Sequence, residues 1–163
     1  MTATASHFTV RMLQPVDSTG YLAITRQVDA LHHQALPHRI KPPEEVKRTE
    51  ASFLAMLGQP DTWLFGIDHE GELIGMIKIQ LVHRPEGIAH RPSRMMIIDE
   101  LAVDERWHRH GVGRLLMDHA IEWARSRDAQ SIDLRVYEFN AGAIAFYESM
   151  GMRTLTRVLS LSL

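Results

Sequence analysis

The sequence contains no cysteine, so disulfides, thiolate zinc sites and a cysteine nucleophile are all excluded. It lacks an apolar run long enough to cross a membrane, and residues 1–8 lack the apolar core of a signal peptide. Basic and acidic residues nearly cancel, at 18 against 20, and the net charge of −2 favours neither nucleic acid nor an anionic membrane as a partner. We therefore expect a soluble cytoplasmic protein.

The length of 163 residues and the hydrophobic content of 45% fit one domain, residues 1–163, with a buried core. Glu70 and Gly71 predict a hairpin turn, and Gly75 in the following strand predicts a bulge. Apolar alternation predicts strands over residues 7–13, 63–67, 73–82, 95–103, 131–137 and 153–163. Apolar residues at helical spacing predict helices that end near residue 36, span 44–57, follow the loop at 108–114, and span 140–150.

The segment 97–117 joins a buried strand to a glycine-containing loop and then to a helix. The first backbone N–H groups of a helix have no partner within it, and the helix dipole adds partial positive charge there. Gly111 and Gly113 let the backbone approach a ligand closely, because a glycine has no Cβ. This arrangement predicts an anion site suited to phosphate.

The loop matches neither the three-glycine dinucleotide fingerprint nor the phosphate-binding loop that ends in Lys and Ser or Thr. It resembles the acetyl-CoA loop of the GCN5-related N-acetyltransferase (GNAT) superfamily, which reads [Q/R]-x-x-G-x-[G/A] after a strand of the form I-E-D-L-x-V. The corresponding segments here are residues 98–103 and 108–113. His108 departs from the pattern, since the family usually has Gln or Arg at that position.

A second GNAT motif, N-x-x-[A/S]-[I/L]-x-x-Y followed by a glycine and an apolar residue, lies 29 residues after Gly111. Its residues in this chain are Asn140, Ala143, Ile144, Tyr147, Gly151 and Met152. Asn140 is the only asparagine in the sequence, and it is also a good helix cap. Two motifs in register are more specific than either alone, and with the order of elements the resemblance covers nearly the whole chain.

The resemblance implies an α+β (α/β) GNAT fold: a mixed, mostly antiparallel sheet of six to seven strands flanked by about four helices. It implies that the central strands splay apart and that the pantetheine arm of acetyl-CoA enters the gap, with the pyrophosphate on the loop from Arg109 to Arg114. Asn140 would contact the cofactor arm, and Tyr147 would lie near its sulfur. The implied cofactor-binding residues are Leu101, Ala102, Val103, His108, Arg109, His110, Gly111, Val112, Gly113, Arg114, Asn140 and Tyr147.

Acetyl transfer to an amine requires a neutral amine, donors for the oxyanion, and a proton for the departing thiolate. Asp99 and Glu100 are the candidate bases. Because successive strand residues face opposite sides, we expect only one of them to reach the substrate. We favour Asp99, on the expectation that it shares a face with Leu101 and Val103. Tyr147 is the candidate acid; the alternative for each of the three is a structural role in the sheet or core.

The ten histidines do not have metal-ligand spacing, so we expect no metal site. His33, His38, Arg39 and Lys41 lie where GNAT enzymes usually build the acceptor site, although a solvated loop is an alternative. The leading function is direct acetylation of a small-molecule primary amine, and the alternatives are acetylation of a protein N-terminus or lysine and a non-catalytic acyl-CoA sensor. The alternating Leu/Ser tail predicts an association edge and hence a homodimer.

Overall fold

A five-stranded sheet in the order β1-β2-β3-β4-β5 is the centre of the computed structural model, which describes residues 8–161. Neighbouring strands are antiparallel except for β4 and β5, which are parallel. The strands are β1 Val10–Met12, β2 Thr62–His69, β3 Glu72–Arg84, β4 Ser93–Val103 and β5 Ser131–Leu134. The helices are α1 Ser18–Ala35, α2 Glu50–Leu57, α3 Val112–Arg125 and α4 Ala141–Ser149.

The predicted α+β class and the mixed, mostly antiparallel sheet with four helices are confirmed. The predicted number of six to seven strands is wrong for the described residues, because residues 153–161 form no strand and residues 162–163 lie outside them. The tail has the alternation of a strand but no strand partner among residues 8–161, and a strand needs a partner for its backbone N–H and C=O groups.

Two apolar clusters, one on each face of the sheet, form the core. On one face α3 packs through Val112, Leu116 and Ala120 against inward residues of β2, β3 and β4. On the other face α1 and α2 contribute Tyr21 and Phe53, which pack against residues of the same strands. The sheet therefore has an α3 side and an α1 side, named after the helices that cover them.

Three predicted boundaries are wrong by several residues. The second helix starts at Glu50 and not at residue 44, because Thr49 and Ser52 form a reciprocal capping box that fixes its start. The first strand covers only Val10–Met12, and residue 7 lies outside the described residues. The last sheet strand ends at Leu134, three residues earlier than predicted, so residues 135–137 leave the sheet.

The predicted hairpin turn at residues 70–71 joins β2 to β3, and the predicted bulge near Gly75 is confirmed. Gly75 pairs with Ile67 whereas Leu73 pairs with Asp68, which leaves Ile74 as the extra residue. A Cβ at Gly75 would lie 2.6 Å from a methyl carbon of Val112, so this glycine lets α3 approach the sheet.

Candidate functional site

Strand β5 ends opposite the middle of β4, which continues alone along that edge. The two strands pair only over four positions, from Met95 with Ser131 to Ile98 with Leu134. Beyond Ile98, β4 continues to Val103 with its other edge still paired to β3. In the part of the chain that the structure describes, the β5-facing backbone of residues 99–103 has no strand partner. This gap agrees with the splayed strands that the resemblance implied.

The glycine loop lies beside the gap and leads into α3. Gly111 is the N-cap of α3 and has a φ of +83°, a conformation that disfavours any other residue. A Cβ built on Gly111 meets no atom within 4 Å, so space for a ligand lies directly against the backbone. The open first turn of α3, together with Arg109 and Arg114 in the loop, fits an anionic group such as a pyrophosphate.

His108, the residue that departs from the family pattern, anchors this loop. Its Nε2 lies 2.9 Å from the carbonyl oxygen of Val103, so this nitrogen donates a hydrogen bond to the end of β4. In the same way, His110 Nδ1 donates to the carbonyl oxygen of His108 at 2.9 Å. The two imidazoles hold carbonyl groups of the loop backbone, while the N–H groups of His108 and His110 donate to the carbonyl oxygens of Glu105 and Trp107.

A bulge in β4 overturns the expected placement of Asp99. Ile98 pairs with Ile79 and Glu100 pairs with Lys78, so Asp99 is an extra residue between them. The alternation therefore skips Asp99: Ile98, Leu101 and Val103 all pack on the α3 side. The expectation that Asp99 shares a face with Leu101 and Val103 is wrong, because it assumed unbroken alternation along the strand.

The bulge instead brings the carboxylates of Asp99 and Glu100 to the lining of the same cavity. Lys78 lies on the α1 side with Glu100, since directly paired residues share a face. Lys78 Nζ approaches Asp99 Oδ2 to 3.2 Å and holds that carboxylate near Glu100. Asp99 and Glu100 both line the cavity described below, so the expectation that they face opposite sides is wrong.

Glu100 belongs to a network of side chains that the sequence did not indicate. Its Oε2 accepts a hydrogen bond from the Tyr21 hydroxyl at 2.8 Å, and its Oε1 lies 2.7 Å from Arg48 Nη1. Arg48 also binds Asp29 of α1 through Nε and Nη2, at 2.9 and 3.2 Å. Burial and the neighbouring Glu100 carboxylate raise the pKa of Tyr21, so its hydroxyl remains a donor.

The predicted acceptor residues lie outside the cavity. His33 Nδ1 binds the carbonyl oxygen of Ile40 at 2.7 Å, and Arg39 hydrogen-bonds Ser160. His38 and Lys41 are exposed. The neighbouring His32 lines the cavity instead, because α1 turns its side chain toward the loop that follows β5.

Asn140 is the N-cap of α4 and Tyr147 lies within α4, which approaches the glycine loop: a Cβ on Gly113 would lie 3.6 Å from the ring of Phe146. Asn140 Oδ1 accepts a hydrogen bond from the backbone N–H of Ala143 at 3.1 Å, which confirms it as the helix cap. Tyr147 packs against the α3-side core and lines the cavity. Burial alone raises the pKa of Tyr147 to about 12, so its hydroxyl is protonated at neutral pH.

One cavity of about 930 Å³ runs through the gap and connects the glycine loop with the α1 side. That volume lies within the range of small-molecule sites. Every predicted catalytic or cofactor-binding residue lines it except His110, which lines a neighbouring pocket of about 470 Å³ beside Gly111. Residues that the sequence did not indicate also line it, among them Val28, Leu31, His32, Arg48, Arg135 and Tyr137.

Across residues 8–161, no three metal-ligating side chains come together. Within the same range, no helix is long and apolar enough to cross a membrane.

Comparison with known proteins agrees with this geometry. The model of the acetyltransferase (GNAT) family matches residues 28–152. The ribosomal protein bS18-alanine N-acetyltransferase of Salmonella typhimurium is 38% identical over 66 residues, which is 37% of this chain and 45% of that protein. The matched region thus spans less than half the length of that relative.

Solved structures extend the likeness to the whole fold. A variant of the BH1408 protein from Bacillus halodurans superposes with a TM-score of 0.91 at 25% identity, covering 95% of this chain and 99% of that one. An aminoglycoside N-acetyltransferase in complex with CoA superposes with a TM-score of 0.74 at 14% identity, covering 100% and 99%, and shows the fold alone. The chain belongs to the GNAT family of acetyltransferases.

Proposed function

We propose that the protein transfers an acetyl group from acetyl-CoA directly to a primary amine of a small molecule. The observation that carries this proposal is the gap between β4 and β5, which joins the glycine loop to the two carboxylates on the α1 side. Acetyl-CoA would supply the acetyl group as an activated thioester. The residues fit such a group, because the open backbone at Gly111 suits phosphate and the unpaired edge of residues 99–103 suits an extended arm.

Asp99 is the proposed base. It has a single cationic partner, Lys78, and its side chain is 32% exposed toward the cavity. Both oxygens of Glu100 already accept hydrogen bonds, from Tyr21 and Arg48, so Glu100 serves to position the acceptor side. An amine must lose its proton before it can attack, and the Asp99 carboxylate can receive that proton directly or through water.

Backbone N–H groups and Tyr147 complete the proposed arrangement. The N–H groups of residues 99–103 that face the gap can donate to a carbonyl oxygen held there. Tyr147 holds its phenolic proton at neutral pH and can donate it to a departing thiolate. With no cysteine in the chain, direct transfer is simpler than transfer through an acyl-enzyme.

The test is release of CoA thiol in the presence of a panel of primary amines. The chain has no cysteine, so a thiol-reactive dye reports only on CoA. Asp99→Asn keeps the shape of the side chain but removes the base, and we expect turnover to fall by about 10²–10⁴-fold. Glu100→Gln is the matched variant and should lose much less. A larger loss in Glu100→Gln than in Asp99→Asn would assign the base to Glu100.

Acetylation of a protein N-terminus is the second candidate, supported by the likeness to the bS18-alanine N-acetyltransferase. A short peptide with an N-terminal alanine therefore belongs in the amine panel. A third candidate is an acyl-CoA sensor. It would bind acetyl-CoA in calorimetry and release no thiol with any amine or peptide.

A further inference from the structure

The α1 side of the cavity has an aromatic wall. His32 of α1 contacts Tyr137 edge-on, with ring centroids 5.2 Å apart and planes at 66°. It contacts Phe139 in the same manner, at 5.7 Å and 81°. Tyr137 and Phe139 stack on each other at 5.5 Å with planes only 20° apart. The three rings hold one another, and His32 and Tyr137 line the cavity.

The apolar side chains at this wall are more exposed than those of a packed core. Tyr137 is 45% exposed and Leu31 is 46% exposed, and both line the cavity together with Val28. A large apolar surface that stays exposed inside a small-molecule cavity is typical of ligand contact. Burial lowers the pKa of His32, so its ring is neutral at pH 7 and does not repel a cationic amine.

The charges of the cavity argue against an acceptor with many ammonium groups. Four arginines line the cavity, namely Arg48, Arg109, Arg114 and Arg135. Among the described lining residues there are three carboxylates, Asp99, Glu100 and Glu105, and Glu100 is paired with Arg48. Arg109 and Arg114 lie at the glycine-loop end, where a pyrophosphate would neutralise them, so they do not count against an acceptor. On the acceptor side Asp99 and Glu100 are each already paired with a cation, Lys78 and Arg48, which leaves few carboxylates for an acceptor with several ammonium groups.

We infer, on the basis of the proposed function, that the acceptor is a primary amine joined by a short aliphatic linker to an aromatic ring. The carboxylate of Asp99 would hold the single ammonium group, and the wall of His32, Tyr137 and Leu31 would hold the ring. Tyr137 is then a specificity-determining residue, since its flat face favours an aromatic partner over a saturated one of the same size.

The test compares kcat/KM for three amines by thiol release: 2-phenylethylamine, 2-cyclohexylethylamine and kanamycin. We expect 2-phenylethylamine to be preferred over the cyclohexyl amine by about threefold to tenfold, the range typical of an aromatic pair. Kanamycin should be the poorest acceptor. Equal or higher kcat/KM with the cyclohexyl amine or kanamycin would overturn the aromatic inference and leave the proposed function standing.

Variants of Tyr137 test whether the aromatic wall causes the preference for the phenyl amine. Tyr137→Ala should remove the preference for the phenyl over the cyclohexyl amine, whereas Tyr137→Phe keeps the ring and should retain it. The KM for acetyl-CoA should stay unchanged in both, and a melting curve confirms that both are folded. A preference that survives in folded Tyr137→Ala would overturn the role of Tyr137. No thiol release with any amine or peptide, despite acetyl-CoA binding, would overturn the proposed function and this inference together.

Discussion

The two ends of the cavity are built in different ways. The proposed cofactor end is mostly backbone from one continuous stretch, residues 98–114, held in shape by Gly111 and by the histidine contacts of the loop. The acceptor end is made of side chains from three distant parts of the chain, which meet at Glu100: Tyr21 lies 79 residues away and Arg48 lies 52 residues away. A backbone site leaves a local pattern in the sequence, whereas a site made of distant side chains leaves none.

At the proposed cofactor end, the largest effect that we expect is a loss of turnover on substitution of Tyr147. Tyr147→Phe keeps the ring and its packing but removes the proton available to the departing thiolate. A general acid contributes about 10²–10⁴-fold, and we expect the lower end, near a hundredfold, because a hydroxyl with a pKa of about 12 is a weak acid for a thiolate. Turnover and a melting curve on this one variant are the measurements.

A purely structural Tyr147 gives the opposite pattern. Tyr147→Phe would then lower the melting temperature and leave turnover intact. That result would leave water as the proton donor.

At the acceptor end, Arg48→Met should reduce stability and acceptor binding together. It removes the charged hydrogen bonds to Asp29 and Glu100, and we expect a loss of about 2 kcal/mol in the free energy of unfolding. Arg11 offers a matched control, since it also bridges two carboxylates, those of Asp17 and Asp68, but does not line the cavity.

Urea unfolding and the KM of the accepted amine distinguish the two arginines. Both variants should unfold at lower urea concentration, and only Arg48→Met should change the KM of the amine. The same KM change in Arg11→Met would mean that Arg48 acts through general stability and not through the cavity.

A control variant can distinguish the effect of Gly111 on cofactor binding from the general effect of backbone strain. Gly111 and Gly71 have almost the same φ, +83° and +82°, and both have open space around the missing Cβ. Valine at either position costs about 1–3 kcal/mol of strain. Only Gly111→Val should also weaken acetyl-CoA binding, by about tenfold in calorimetry. Unchanged cofactor affinity in folded Gly111→Val would remove the loop from the site.

The smallest expected effect lies outside the cavity. The tail exposes Leu155, Val158, Leu159 and Leu161, each at 83% or more, and we propose that it pairs with a second copy of the chain. Light scattering at tens of micromolar should give the mass of a dimer, and Leu159→Asp should shift it toward the monomer without changing turnover. A wild-type monomer at that concentration would count against the proposal.

Local patterns predicted the elements around the glycine loop, and the family resemblance supplied their proposed roles toward the cofactor. The strand, the loop around Gly111 and the Asn140 cap all lie in contiguous segments, and the structure places them as expected around the gap. The acceptor end was not predictable in this way, and His33 was chosen where His32 faces the cavity. Alternation also failed at Asp99, because the sequence gives no signal for an extra residue inside a regular strand.

The bulge in β4 rests on one extra residue, Asp99, and the proposed activity depends on it. If Asp99 were deleted, Ile98 would be joined directly to Glu100, and the pairing of β4 with Ile79 and Lys78 of β3 would become regular. Every other side chain would stay on its present face of the sheet. The fold would survive, since no core residue changes sides. With Asp99 as the proposed base, deletion of its single codon should abolish acetyl transfer and leave acyl-CoA binding intact.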